Sequence, residues 1–144
     1  MSAENNIEAY RRLAAAFGNG DLTVVDELVA PEMVEHQIGS LGNGPEALKQ
    51  MITHLRSSMP DLEITIDDLV AVGDKVWARG KFCGTFSGEL LGRVFHDEPI
   101  VLDAVDIVRF RDGKAVEHWG VIDRLQQLEQ LGIVPQTQSE QRAA

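Results

Sequence analysis

The sequence predicts an α+β domain: a cone-shaped α+β barrel in which N-terminal helices pack into a curved antiparallel or mixed sheet around an interior pocket. Three observations predict it. Through about residue 60 the larger apolar side chains recur every three or four positions, the signature of helices buried along one face. From Leu62 onward the period becomes two, as in strands with one buried face. Finally, Asp112-Gly113 stands between two alternating runs, where only a tight hairpin turn fits.

Ile7, Tyr10, Leu13 and Phe17 share one helical face, so the first helix spans residues 7–17 and breaks at Gly18 to Gly20. Asp21 can cap a short successor carrying Leu22, Val25, Leu28 and Val29 before Pro31. Met33 to Ile38 fits either regular state, and the glycines at 39, 42 and 44 then break the chain. Pro45 suits a first helical turn, and Leu48, Met51, Ile52 and Leu55 predict a third helix ending before Pro60. Strands follow at Leu62–Asp67 and, after the turn at Gly73-Asp74, at Val76–Cys83. A third runs over about 100–111 and a fourth over 114–122, with a last helix from Arg124 to Leu131 stopped by Gly132.

Composition bounds the function. The 144 residues suit one domain, expected over 1–134, with a polar tail at 135–144 predicted to be disordered. With 13 Lys and Arg against 23 Asp and Glu, the net charge of −10 disfavours nucleic acid as a partner, since a phosphate surface needs clustered cations. The longest apolar run, Leu13 to Phe17, is far short of the roughly 20 residues that span a bilayer, so no membrane span is expected. The N-terminus lacks the basic and apolar regions of a secretory signal, and Cys83 stands alone. A cytoplasmic protein is the expectation. His36, His54, His96 and His118 show no metal-ligand spacing, and the glycines form no dinucleotide-binding fingerprint, so neither metal nor cofactor is expected.

Two carboxylates are the candidate catalytic groups. Asp106 lies mid-strand among apolar neighbours that would desolvate it, tuning it for proton transfer, unless it serves as a structural partner of an Arg. Asp123 follows the last strand and fits either a site carboxylate or the N-cap of the helix beginning at Arg124. Strand alternation separates His118 from Trp119, and Trp119 can either floor a pocket or fill the core. His36 can face the same pocket, whereas His54 and His96 read as solvated, on a helix and in a loop. Arg79, if inward, could hold an anionic oxygen or Asp106; a surface position is the alternative.

Val34-Glu35-His36, Gly44-Pro45-Glu46, Pro60-Asp61, Gly73-Asp74-Lys75-Val76, Gly84-Thr85-Phe86-Ser87-Gly88, Asp106-Ile107-Val108-Arg109-Phe110, Asp112-Gly113-Lys114, Glu117-His118-Trp119 and Gln130-Leu131-Gly132 occur in an order and spacing that resembles the SnoaL-like polyketide cyclase family, over about residues 7–132. This family lies within the nuclear transport factor 2-like (NTF2-like, cystatin-like) superfamily. The resemblance implies a cone with a deep apolar pocket and a homodimer formed through the outer sheet face. It further implies a cofactor-independent intramolecular aldol condensation of a small apolar or aromatic carbonyl compound, with Asp123 placed like the family's acid/base and Asp106 at another recurrent position. The chain departs from the family pattern at Arg93-Val94-Phe95-His96-Asp97-Glu98, expected at the pocket mouth. Two other functions stay open: an epoxide hydrolase-like enzyme using Asp106, Arg79 and Asp123, or a non-catalytic ligand-binding module.

Overall fold

The computed structural model describes residues 2–136; the tail predicted at 135–144 therefore lies almost wholly outside the described residues. The elements run α1 (Ala3–Asn19), α2 (Thr23–Leu28), β1 (Val29–Glu35), α3 (Gly44–Ser58), β2 (Glu63–Val72), β3 (Lys75–Leu90), β4 (Arg93–Arg111), β5 (Lys114–Ile122) and α4 (Arg124–Gln130). One mixed, open sheet carries them in the order β1-β5-β4-β3-β2. Every pair is antiparallel except β1 with β5, which is parallel.

Local chemistry explains the ends. Ser2 accepts the Asn5 N–H, which lets α1 begin at Ala3 rather than at Ile7, and Gly20 closes it in a left-handed conformation. Pro45 occupies the first turn of α3. Asp112 and Gly113 both have positive φ, as does the pair Leu91 and Gly92, so two turns of the same hand connect β3 to β4 and β4 to β5.

Three strand expectations are corrected. Val29 leaves the second helix and opens β1, which also takes in Met33 to Glu35 from the stretch whose pattern fits either regular state; an edge strand accommodates Pro31, which lacks a donor N–H. Strands β3 and β4 are much longer than their sequence patterns suggest, at 16 and 19 residues, because their pairing continues as one hairpin to Leu90 and Arg93. His96 therefore lies in β4 rather than in a loop, and Phe95 is buried against Phe86.

Bulges at Ile66/Asp68, Phe86/Gly88 and Arg109/Phe110 bend the long strands into the cone. The concave side holds two apolar clusters. One joins α1, α2 and Ile52 of α3 to Val76, Val108 and Phe110; the other gathers Met59, Leu62, Phe82, Phe86, Phe95 and Ile100 toward α4. The convex face shows Val70, Trp77, Val105 and Val121, all substantially exposed. No helix among the described residues is long and apolar enough to cross a membrane.

Gly80 sits where the β2 bulge brings backbone closest to β3: a Cβ there would overlap the Thr65 carbonyl oxygen. Since backbone cannot rotate aside as a side chain can, Gly80→Ala is expected to lower stability by about 1–3 kcal/mol. Urea denaturation of the variant against wild type measures this.

Candidate active site

Four elements converge on one buried polar cluster. In β1 and β5 the tripeptide Val-Glu-His occurs twice, as Val34-Glu35-His36 and Val116-Glu117-His118. Their parallel pairing sets Val34 opposite Glu117 and Glu35 opposite His118. The two copies are thus offset by one residue, and each glutamate meets the other strand's histidine. On the concave face Glu35 holds His118, with Nδ1 lying 2.7 and 2.9 Å from the two carboxylate oxygens. On the convex face His36 Nε2 lies 2.8 Å from Glu117.

The inner pair is extended by β4 and α1. His118 Nε2 is 3.0 Å from Asp106 Oδ1, and the Tyr10 hydroxyl donates to Asp106 Oδ2 at 3.0 Å. A chain Glu35, His118, Asp106, Tyr10 results, in which both imidazole nitrogens are engaged by carboxylates. The backbone N–H of Gln37 adds a bond to Glu35 at 2.8 Å, tying the loop after β1 to the same carboxylate.

This chain lines a cavity of about 140 Å³ whose other walls are chiefly apolar: Leu13 and Phe17 of α1, Leu48 and Met51 of α3, and Ile64, Phe82 and Val108 of the sheet. Such a cavity, apolar with a few convergent polar groups, is the usual form of a small-molecule site.

Burial by itself would lower the His118 pKa, but the hydrogen bonds and charges of Asp106 and Glu35 outweigh it and raise the value from 6.5 to about 9. His118 is therefore an imidazolium at neutral pH, donating at both nitrogens. Burial, then the charge and hydrogen bond of Asp106, push the Tyr10 phenol well above its ordinary range, so Tyr10 is a neutral donor. A protonated His118 cannot act as a base. Of the two carboxylates that face the cavity, Asp106 is the more accessible, with 27% of its side chain exposed against 10% for Glu35.

The other residues picked from sequence lie elsewhere. Asp123 is the N-cap of α4, its Oδ1 accepting the Gln126 N–H at 3.0 Å, and it does not line the cavity. Trp119 points to the convex face, where His36 stacks on it at 5.0 Å between ring centroids and Arg109 and Lys75 lie against its ring. His36 and Trp119 thus form an outer cluster, not a pocket floor. Arg79 borders the cavity in β3, but its guanidinium donates to Asp68 at 2.8 Å on the outer side, because its register neighbours place its side chain opposite in orientation to that of Asp106. The set Asp106, Arg79 and Asp123 needed for the epoxide hydrolase plan is not assembled. Nor does the segment 93–98 border the cavity; none of its residues lines it.

Sequence reasoning missed two members, Glu35 and Tyr10. Tyr10 reads as a core position of α1 until its hydroxyl finds Asp106 from 96 residues away. The repeated Val-Glu-His was the available signal for Glu35, since like tripeptides on two adjacent parallel strands with a one-residue offset pair carboxylate with imidazole. Among the described residues no group of three or more His, Cys, Asp or Glu is disposed to hold a metal ion.

Helices packed into an open five-stranded mixed sheet around an apolar cavity make this an α+β fold of the nuclear transport factor 2-like type. The chain belongs to the SnoaL-like polyketide cyclase family, whose model matches residues 7–131. In structure it is similar to TsrD from Streptomyces laurentii, with a TM-score of 0.83 and 29% identity, covering 93% of this chain and 99% of that one. IdmH from Streptomyces antibioticus, a candidate polyketide cyclase, matches with a TM-score of 0.79 and 32% identity over 88% of this chain and 98% of its own. AclR from Streptomyces galilaeus, a candidate hydroxylase, matches with a TM-score of 0.82 and 25% identity over 95% and 87%. No curated protein matches the sequence.

The His118 shift has a thermodynamic consequence. Its folded value of about 9 lies above the ordinary 6.5, so the proton linkage contributes fully below pH 6.5 and is lost as pH rises through 9. Melting temperatures between pH 5 and 10 are expected to fall across that upper interval in wild type. His118→Gln, less stable overall, should lack that component of the fall.

Proposed function

We propose that the protein is a cofactor-independent enzyme of cyclase or isomerase type, performing Asp-mediated acid/base chemistry of the aldol kind on a small apolar carbonyl or polyketide-like substrate. The observation that carries this reading is Asp106: a carboxylate in an apolar cavity, held by the His118 imidazolium and the Tyr10 hydroxyl at 3.0 Å each. Asp106 takes a proton from the carbon next to a carbonyl, leaving an enolate. The enolate carbon bonds to a second carbonyl carbon of the same molecule, and the alkoxide so formed takes the proton back. No electron is gained or lost, and no other reactant is consumed. Glu35 and Tyr10 orient His118 and Asp106, while the apolar walls exclude water from the enolate.

Family membership and the likeness to IdmH support the reaction class. For the choice of carboxylate the support is geometric, since Asp106 faces the cavity and Asp123 caps a helix. The same reading extends to a homodimer through the convex face, where Val70, Trp77 and Val105 form one exposed apolar patch suited to a second copy of the chain.

Hydrogen–deuterium exchange next to the carbonyl of 2-tetralone, followed by NMR in D₂O, tests proton abstraction without the natural substrate. Wild type is expected to accelerate exchange, and Asp106→Asn to reduce it by about 100-fold or more. Asp123→Asn should exchange like wild type and keep near-native stability, since Asn caps a helix about as well as Asp. Exchange that followed Asp123 instead of Asp106 would overturn the assignment. Light scattering is expected to give twice the 15.9 kDa chain mass; a single-chain mass would reject the dimer.

A further inference from the structure

The donors of the site are already spent. Both His118 nitrogens bind carboxylates, and the Tyr10 hydroxyl is given to Asp106. A substrate carbonyl entering the cavity therefore needs its hydrogen-bond donor from another side chain, and two remain on the loop after β1, Gln37 and Ser40.

Gln37 is singled out by Gly120. In β5, directly opposite Asp106, a Cβ at position 120 would overlap Gln37 Oε1 and lie 2.9 Å from His118 Cε1 and 3.0 Å from Asp106 Oδ1. The glycine leaves a bare patch of strand on which the Gln37 carboxamide rests, beside the imidazole and the proton-accepting carboxylate. Its backbone is anchored by the bond from Gln37 N–H to Glu35, the carboxylate that also orients His118. Yet among the described residues the Gln37 amide group finds no hydrogen-bond partner. A half-buried carboxamide fixed at the backbone, seated in a space only glycine leaves, and unpaired at its head is arranged to meet a ligand.

We infer that Gln37 is the carbonyl-binding residue of this site: its Nε2–H donates to the oxygen of the substrate carbonyl whose neighbouring carbon faces Asp106. This rests on the acid/base reading above and deepens it. The bond strengthens as the carbonyl oxygen gains charge in the enolate, so Gln37 favours the transition state over the bound ketone. Gly120 acts through Gln37, as a positioning residue. The ligands the arrangement recognises are neutral aryl ketones and esters, since the cavity offers a donor and apolar walls but no uncommitted cation: the His118 imidazolium is held by Glu35 and Asp106, and Arg79 and Lys81 turn outward to Asp68 and Asp67.

Infrared difference spectra of 2-tetralone labelled with ¹³C at the carbonyl read this bond directly, whether or not the proton moves. Bound to wild type, the carbonyl stretch is expected to shift to lower frequency than in water-free apolar solvent. Gln37→Met keeps the length of the side chain over Gly120 and should abolish the shift, with exchange falling about 100-fold. Gly120→Ala should give the same loss while Gln37 is chemically intact. A shift that survives Gln37→Met, or one removed by Ser40→Ala instead, overturns the inference, as does a wild-type protein that fails to bind the ketone. The two readings fail separately. A wild type that shows the Gln37-dependent shift without exchange removes the catalytic reading alone. Exchange that depends on Asp106 but not on Gln37 removes this one alone.

Discussion

Parallel pairing of β1 with β5, in a register that sets Glu35 against His118, is the constraint from which the rest of the site follows. Because β1 is an edge strand, only β5 holds it in the sheet, and the paired residues 34–36 and 116–118 carry the pairing on both faces. Inside, Glu35 grips His118; outside, Glu117 grips His36, and Arg109 Nη1 donates to Glu117 at 2.7 Å. A slip of one residue would turn every one of these side chains to the wrong face. The same register aims Gln37 at the bare strand over Gly120. Register and site geometry are in this sense one quantity.

The inner chain also shows how a charge is tolerated in an apolar cavity. An imidazolium is expensive to desolvate, and His118 keeps its proton only because two carboxylates share it. Removing one partner would leave the others buried without compensation, so the chain behaves as a unit. Tyr10 completes it from α1, with the consequence that the helical layer is tied to the sheet by a hydrogen bond at the very place where the cavity is charged. A site so cross-linked is preorganised: its groups are held in place by one another before anything enters the cavity.

The structural relatives carry names of more than one chemistry, a cyclase and a hydroxylase, on the same cone. Fold similarity therefore sets the class of cavity, and the reaction depends on which side chains face into it. In this chain those are two carboxylates, an imidazolium, a phenol and a carboxamide, with the arginine of a hydrolase plan turned outward.

Much of this was legible in the sequence, for stated reasons. Helices α1 and α3 and the β4–β5 hairpin are written in local periodicity and turn chemistry, which depend only on neighbours along the chain. The membership of Asp106 in a buried strand was likewise readable from its apolar neighbours. Strand β1 was not, because seven residues between a helix and a glycine-rich loop carry too little pattern, and a parallel edge strand is defined by a partner some 80 residues away. Alternation separated His118 from Trp119 but could not say which of the two faces inward; the curvature of the sheet around α1 chose His118. Asp123 was ambiguous between cap and catalyst in sequence, and the start of α4 made it a cap. The sequence by itself thus determined the elements and the chemical types available. The tertiary structure alone decided which carboxylate, histidine and tyrosine meet, since those contacts join residues that share no local signal and are brought together by strand register and helix packing.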